Sequence, residues 1–246
     1  MAEQDVKVTL YWLDQSRSQR ILWLLEELKI TYDVKVFHRD KTTKLAPPEL
    51  AKVHPLGKSP VITITPPYLC EHFPEGKRIV PKRWKDGMEG KIGGETEEWL
   101  RHEYYLHYTE GSLMPFLVMS LVISQLKSPS VPFYLRPITS GVADRMYAGY
   151  VFPNVKKNLE FLEGQLKSSS GRYLCSDQLT AADVLMSFPL MGGKERFDNM
   201  GQFEGGSWKN AFPRVLEYIE LLENEEGYKR SVAKIEEIDG QFAQSL

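Results

Sequence analysis

The 246-residue sequence contains very little cysteine, only Cys70 and Cys175. Two cysteines are too few for a disulfide-stabilised secreted scaffold or a CxxC metal site, so we expect no bound metal. The formal net charge of −2 shows no excess of either sign, which argues against a nucleic-acid partner. The N-terminus is polar and acidic, unlike a signal peptide, and no apolar run reaches the ~18 residues of a membrane span. We therefore expect a cytoplasmic protein without a membrane span.

The N-terminal stretch predicts a β–α–β unit. Residues 6–12 (VKVTLYW) form a short apolar strand, and residues 32–37 (YDVKVF) alternate apolar and polar side chains as a half-buried strand does. Between them, four apolar residues fall at offsets 0, 3, 4 and 7, on one face of a helix: Ile21, Leu24, Leu25 and Leu28. This order predicts a parallel strand pair joined by a right-handed crossover.

Ser16 lies at the predicted start of that first helix. Ser16 followed by Gln19 fits an N-terminal capping box, in which each side chain bonds the backbone of the other residue. Free N–H groups at a helix start attract anions and stabilise a thiolate. These residues alone leave two interpretations open: a helix cap and nothing more, or a functional hydroxyl.

The rest of the chain predicts a third strand, then a linker, and then an all-helical region. Residues 61–64 form the strand, and the Ser59–Pro60 step before it is a candidate cis bond. Residues 74–94 are rich in proline, glycine and charge, as linkers are, and the pattern after residue 94 is helical throughout. We predict an incomplete α/β domain at residues 1–76, a linker at 77–94 and an all-helical domain at 95–246.

Four motifs in this order resemble those of the cytosolic glutathione transferases, in particular a fungal-type group. They are YWLDQSRSQRILWLLEEL, HPLGKSPVI, EGSLMPFLV and LTAADVLMSFPL, beginning at residues 11, 54, 110 and 179. The resemblance implies an α/β thioredoxin-like N-terminal domain and an all-α helical-bundle C-terminal domain. It also implies conjugation of reduced glutathione to electrophilic hydrophobic small molecules in detoxification, with glutathione as co-substrate, no other cofactor, and a homodimer.

The resemblance assigns roles to individual residues. The activating hydroxyl falls on Ser16, which would hydrogen-bond the glutathione sulfur and favour the thiolate. Tyr11 is the alternative catalytic residue, because other classes use a tyrosine at the end of the first strand. The expected glutathione-binding residues are Ser59, Pro60, Lys58, Lys44 and Arg17. The expected second-substrate pocket contains Tyr104, Tyr108, Met114 and Phe116.

One departure from the family pattern concerns the segment after the third strand. The family places a fourth strand there and then a Glu/Gln-Ser pair that binds the γ-glutamyl end of glutathione. Here only Thr65, Pro66 and Pro67 separate Ile64 from the next helical stretch, so that strand and pair are predicted to be missing. The departure leaves an alternative function open, a catalytically weak or inactive binding or regulatory protein with this fold.

Overall fold

The computed structural model describes residues 8–169 and 171–242, without the side chains of Pro66 and Pro67. The N-terminal elements are β1 Val8–Leu13, α1 Ser18–Glu27, β2 Tyr32–Phe37, α2 Leu50–Val53, β3 Val61–Ile62, α3 Pro66–His72 and α4 Gly76–Ile79. The C-terminal elements are α5 Glu97–Tyr108, α6 Met114–Ser124, α7 Arg136–Met146, α8 Phe152–Ser168, α9 Ala181–Gly193, α10 Trp208–Ala211, α11 Pro213–Glu223 and α12 Glu226–Asp239. The first two residues of the predicted first strand lie outside the described residues.

The sheet has β1 at its centre, in the order β2-β1-β3. β1 and β2 run parallel, from the pair Val8 and Tyr32 to the pair Leu13 and Phe37, with α1 as the crossover between them. β1 is buried at five of its six positions, whereas β2 alternates between half-buried and exposed side chains over its first five residues. The predicted β–α–β unit is therefore confirmed, and the carboxyl ends of both parallel strands meet at one edge of the sheet.

β3 is short and forms an antiparallel edge. It pairs with β1 through Ile62 and Val61, and Thr63 extends the contact by donating its N–H to the Thr9 carbonyl over 3.2 Å. In the described ranges the sheet has three strands, and α3 follows β3 after three residues. An edge of two residues offers few free backbone groups for pairing with another chain. The loss of a fourth strand relative to the family stays a prediction.

α1 is buried on nearly every side. Its predicted apolar face is confirmed, because Ile21, Leu24, Leu25 and Leu28 are each at most 7% exposed. A further side of α1 packs against α12, where Gln19 donates to the Ser231 hydroxyl over 3.0 Å. The two helices approach closely at Gly227 of α12, since a Cβ built there would lie 1.8 Å from Glu27 Oε1. The C-terminal helix thus covers a helix of the N-terminal domain.

The predicted linker contains some regular structure. Its first residues belong to α4, and its end is tied back by an isolated β-bridge between Trp84 and Glu95. The division into residues 1–76, 77–94 and 95–246 stays a prediction.

The first long helix of the C-terminal part has an irregular middle. α5 and α6 are joined by a π-helical turn at Thr109–Leu113. The continuous run Glu97–Lys127, 31 residues long, is apolar enough by composition to cross a membrane, and a third of its most apolar stretch is buried in the fold. Four residues of α6 pack inward: Met114, Leu117, Ser120 and Ile123. The expected absence of a membrane span stays a prediction.

A buried carboxylate organises the start of α9. Asp183 is fully buried and accepts hydrogen bonds from the Thr180 N–H at 2.8 Å and the Leu174 N–H at 3.0 Å. It also accepts from the hydroxyls of Thr180, at 2.6 Å, and of Tyr218 on α11, at 2.7 Å. The LTAAD motif therefore forms a capping box that also holds the preceding loop and a neighbouring helix.

Candidate active site

A cleft of about 650 Å³ lies where the carboxyl end of β1 faces α6 and α9. On the N-terminal side it is lined by Leu13, Gln15, Ser16, Arg17, Arg39, Lys44, Ala46, Gly57, Lys58 and Ser59. On the helical side it is lined by Met114, Val118, Leu121, Gln125, Phe188 and Arg196. The volume is that of a site for one or two small molecules.

The Ser16 hydroxyl stands at the entrance to α1. Its Oγ donates to the Leu13 carbonyl over 2.7 Å and accepts from the Ser18 N–H over 3.2 Å. The predicted capping box with Gln19 is wrong, because Arg17 is the residue at the cap and Gln19 has other partners. The amide of Gln19 accepts from the Trp12 indole and donates to α12, so tertiary contacts outcompete the local cap. Ser16 nevertheless sits beside the free N–H end of the helix.

Three serine hydroxyls form a chain behind the cleft surface. The buried Ser18 Oγ lies 2.9 Å from Ser16 Oγ and 2.5 Å from Ser59 Oγ. Ser59 in turn donates to the Tyr11 carbonyl over 3.2 Å, and the Ser59–Pro60 peptide bond is cis, although trans is the usual expectation from sequence alone. This chain fixes the relative positions of the first helix and the Ser59–Pro60 turn. Sequence analysis did not single out Ser18, because its burial and its contact with Ser59 depend on the fold.

The Tyr11 side chain does not line the cleft. Its ring centroid lies 6.4 Å from that of Phe37 and 5.3 Å from the Lys35 ammonium. This placement gives no support to Tyr11 as the activating hydroxyl.

The N-terminal side of the cleft carries several cations. Lys44 and Lys58, the two lysines expected to bind glutathione, line the cleft together with Arg39. Arg39 was not predicted, although it lies two residues after β2, at the sheet edge where ligands of parallel strands bind. Arg39 is held by the Asp14 and Lys44 carbonyls, at 3.2 and 3.0 Å. Burial lowers the pKa of the Arg39 guanidinium and the Asp14 carboxylate opposes this shift.

Arg17 lies at another border of the cleft, paired with a residue of the C-terminal part. Its Nη1 is 2.6 Å from Glu110 Oε2, in the π-helical turn between α5 and α6. Arg20, one turn further along α1, is 2.6 Å from Glu110 Oε1. Burial lowers the pKa of Arg20, and Glu110 acts to raise it. One carboxylate thus bridges two arginines between the two parts of the chain.

The helical wall of the cleft is largely apolar. Met114, one of the residues expected in the second-substrate pocket, lines it together with Val118, Leu121 and Phe188. The structure does not bring the other predicted second-substrate residues here. Tyr104 and Tyr108 stack on each other with ring centroids 5.7 Å apart, on a separate shallow surface, and the Phe116 ring packs against Tyr150 at 5.8 Å.

Comparison with known proteins identifies the family. The family models for the N-terminal and C-terminal domains of glutathione S-transferase match residues 16–80 and 114–226. The chain is 30% identical to Glutathione S-transferase 1 of Saccharomyces cerevisiae, across 96% of this chain and 98% of that protein. It belongs to the glutathione S-transferase family. The predicted resemblance to a fungal-type glutathione transferase is confirmed.

Solved glutathione transferases share the fold. A glutathione S-transferase from Actinobacillus pleuropneumoniae matches with a TM-score of 0.67 and 25% identity, over 92% of each chain. A glutathione transferase homologue from Sulfitobacter, solved with bound glutathione, matches with a TM-score of 0.60 and 14% identity, over 93% of this chain and 98% of that one. The thioredoxin-like and helical parts of this glutathione transferase are therefore confirmed.

The cleft of this glutathione transferase combines three kinds of surface. A hydroxyl beside a helix N-terminus suits a thiolate, a cluster of cations suits carboxylates, and an apolar wall suits a hydrophobic molecule. Among the residues that the structure describes, no group of three or more His, Cys, Asp and Glu side chains is arranged to hold a metal ion.

Proposed function

We propose that this glutathione transferase binds reduced glutathione in the cleft and joins its sulfur to electrophilic, largely apolar small molecules. The observation that carries the proposal is the arrangement of Ser16, the cis Ser59–Pro60 turn and three cations opposite an apolar wall in one cleft. The Ser16 hydroxyl would turn from the Leu13 carbonyl to donate to the sulfur. This lowers the thiol pKa from its ordinary value of about 8.5, so that more thiolate is present at neutral pH.

We assign the glycyl carboxylate to the part of the cleft lined by Lys44, Lys58 and Arg39. The cysteinyl part is assigned to Ser59 and Pro60, and Arg17 borders the remaining part of the tripeptide. The thiolate then attacks the electrophilic carbon of a molecule held against Met114. A carbon–sulfur bond forms, and the electron pair leaves with the departing group or moves onto an adjacent acceptor.

The test is calorimetric titration of the full chain with reduced glutathione. We expect saturable binding with a Kd in the micromolar-to-millimolar range. If Ser16 stabilises the thiolate, binding near neutral pH also releases a proton, which titrations in buffers of different ionisation enthalpy measure. S-methylglutathione is the matched control, because it lacks the thiol and should bind without proton release. A folded protein that binds neither ligand would favour the alternative, a binding or regulatory role without glutathione.

We also propose that the protein is a homodimer with a cytoplasmic, detoxifying role. The support for the dimer is an exposed apolar stripe on α7 and its N-cap residue, at offsets 0, 3, 7 and 11: Leu135, Ile138, Val142 and Met146, each at least 40% exposed. Contiguous apolar surface of this kind marks interaction sites. The free, buried Cys70 and Cys175 fit a reducing compartment.

Val142→Glu is expected to convert the dimer to a monomer, because it places a charge inside the proposed apolar interface. Analytical ultracentrifugation should give twice the 28.3 kDa chain mass for the unaltered protein and the single mass for the variant. Ile238→Glu is the control, since Ile238 is a 42% exposed apolar residue on α12. An unaltered protein that sediments as a monomer, or a Val142→Glu variant that stays dimeric, would contradict this interface.

A further inference from the structure

The charged residues that line the cleft all carry the same sign. They are Arg17, Arg39, Lys44, Lys58 and Arg196, and no aspartate or glutamate of the described residues lines the cleft with them. Four of the five come from the N-terminal part, where we place glutathione. Arg196 alone comes from the helical part, on the side of the apolar wall.

The other cationic side chains of the cleft already have a partner in the structure or are assigned to a carboxylate of glutathione. Arg17 is paired with Glu110, and Arg39 is held by backbone carbonyls. Lys44 and Lys58 lie in the part of the cleft assigned to the glycyl carboxylate. Glutathione carries two carboxylates and one ammonium group, so the N-terminal cations are enough to balance it.

Arg196 is held in place through its backbone rather than through its guanidinium. Its N–H donates to the Gly193 carbonyl at the end of α9 over 2.8 Å, and its carbonyl accepts from the Asn199 N–H over 3.0 Å. Arg196 is half-buried and lines the cleft, and its guanidinium has no hydrogen bond or ion pair with any residue in 8–169 or 171–242. The guanidinium is therefore available to pair with an anion on a ligand in the cleft.

We propose that Arg196 selects second substrates that carry a carboxylate, or a comparable anion, at a distance from the electrophilic carbon on an apolar body. This inference rests on the proposed function of the same cleft. The planar guanidinium matches a carboxylate with two parallel hydrogen bonds, while Met114, Val118 and Leu121 contact the apolar body. Arg196 is thus a specificity-determining residue that contacts a part of the substrate that does not react.

A different role for Arg196 makes a different prediction. If the guanidinium stabilised negative charge that develops on the electrophile during attack, neutral and anionic substrates would lose turnover equally when it is removed. If it binds a remote anion, only the anionic substrate is affected, and the effect is already present in ground-state binding. Binding and turnover therefore need to be measured separately.

The test compares ethacrynic acid with its methyl ester, which share one electrophilic carbon and differ in a remote carboxylate. Calorimetric binding is measured on the protein saturated with S-methylglutathione, which has no thiol and cannot react. The variants are Arg196→Gln, Arg196→Lys and, as a control, Arg214→Gln, which alters an exposed arginine on α11 that does not line the cleft.

For Arg196→Gln we expect the Kd of the acid to rise at least tenfold and that of the ester to change less than twofold. Arg196→Lys should recover part of the affinity for the acid, and Arg214→Gln should change neither ligand. Equal losses for acid and ester, or unchanged binding of the acid, would overturn the proposal. Binding of S-methylglutathione and turnover with reduced glutathione report separately on the proposed function. The acid and the ester are also titrated without S-methylglutathione, so the comparison of binding constants can be made even if the proposed function fails.

Discussion

Replacing Ser16 with alanine is expected to lower kcat/KM for glutathione conjugation at pH 6.5 by at least tenfold. At that pH a thiol with a pKa of about 8.5 is almost entirely protonated, so turnover depends on the hydrogen bond that favours the thiolate. In the structure Ser16 Oγ donates to the Leu13 carbonyl at 2.7 Å and can rotate toward the cleft. Steady-state kinetics over pH 6 to 9 should show the loss of kcat/KM becoming smaller as pH rises. The glutathione thiol then ionises even without the Ser16 hydrogen bond.

Two further variants test whether the Ser16 hydroxyl, and not that of Tyr11, activates the thiol. Ser16→Thr keeps a hydroxyl at the same position and should retain more activity than Ser16→Ala. Tyr11→Phe should stay within twofold of the unaltered enzyme, because the Tyr11 side chain does not line the cleft. Unchanged turnover in Ser16→Ala, with an intact circular dichroism spectrum, would remove Ser16 from this role. A large loss in Tyr11→Phe would then assign the role to the tyrosine.

Replacing Asp183 with alanine is expected to lower the free energy of unfolding by about 3–5 kcal/mol, because it leaves several buried donors without an acceptor. The carboxylate accepts from two backbone N–H groups and from the hydroxyls of Thr180 and Tyr218, at 2.6 to 3.0 Å. For a chain of this size, the loss corresponds to a fall of roughly 6–20 °C in Tm. Thermal unfolding followed by circular dichroism measures it.

The control for this prediction is Asp177→Ala, in the loop that precedes α9. Asp177 is exposed and accepts one hydrogen bond, from the Arg172 N–H at 3.2 Å. Its loss should cost no more than ~1 kcal/mol. If Asp183→Ala lowered Tm no more than Asp177→Ala, the capping box and its link to α11 would not hold the helical domain together.

The sequence predicted the strand and helix features that depend on residues close together in the chain. β2 was placed at its observed residues because its apolar and polar side chains alternate, and the apolar face of α1 followed from its helical spacing. The capping box of Thr180 and Asp183 formed because both partners lie within one turn. The similar box expected at Ser16 and Gln19 did not form, because Ser231, distant in sequence, binds the Gln19 amide.

The second-substrate wall shows why tertiary placement could not be predicted from spacing alone. The resemblance assigned Tyr104, Tyr108, Met114 and Phe116 to one pocket, and all four lie on the continuous helical run Glu97–Lys127. The π-helical turn at Thr109–Leu113 adds about one residue to that helix and rotates the residues after the turn by roughly 100°. Met114 therefore faces the cleft, while Tyr104 and Tyr108 face another surface. Arg196 could not be found from the sequence, because only the fold brings the end of α9 to the first helix.

The packing of α12 on α1 has a consequence for the order in which the site is completed during synthesis. Ser16 and α1 are translated well before Ser231, which is the partner of Gln19. At ~5–20 residues per second, the ribosome needs roughly 10–40 s to travel from α1 to α12. For that interval the helix that positions the serine has one side uncovered. The part of the chain that carries the proposed thiol-activating serine is therefore translated well before the helix that covers α1.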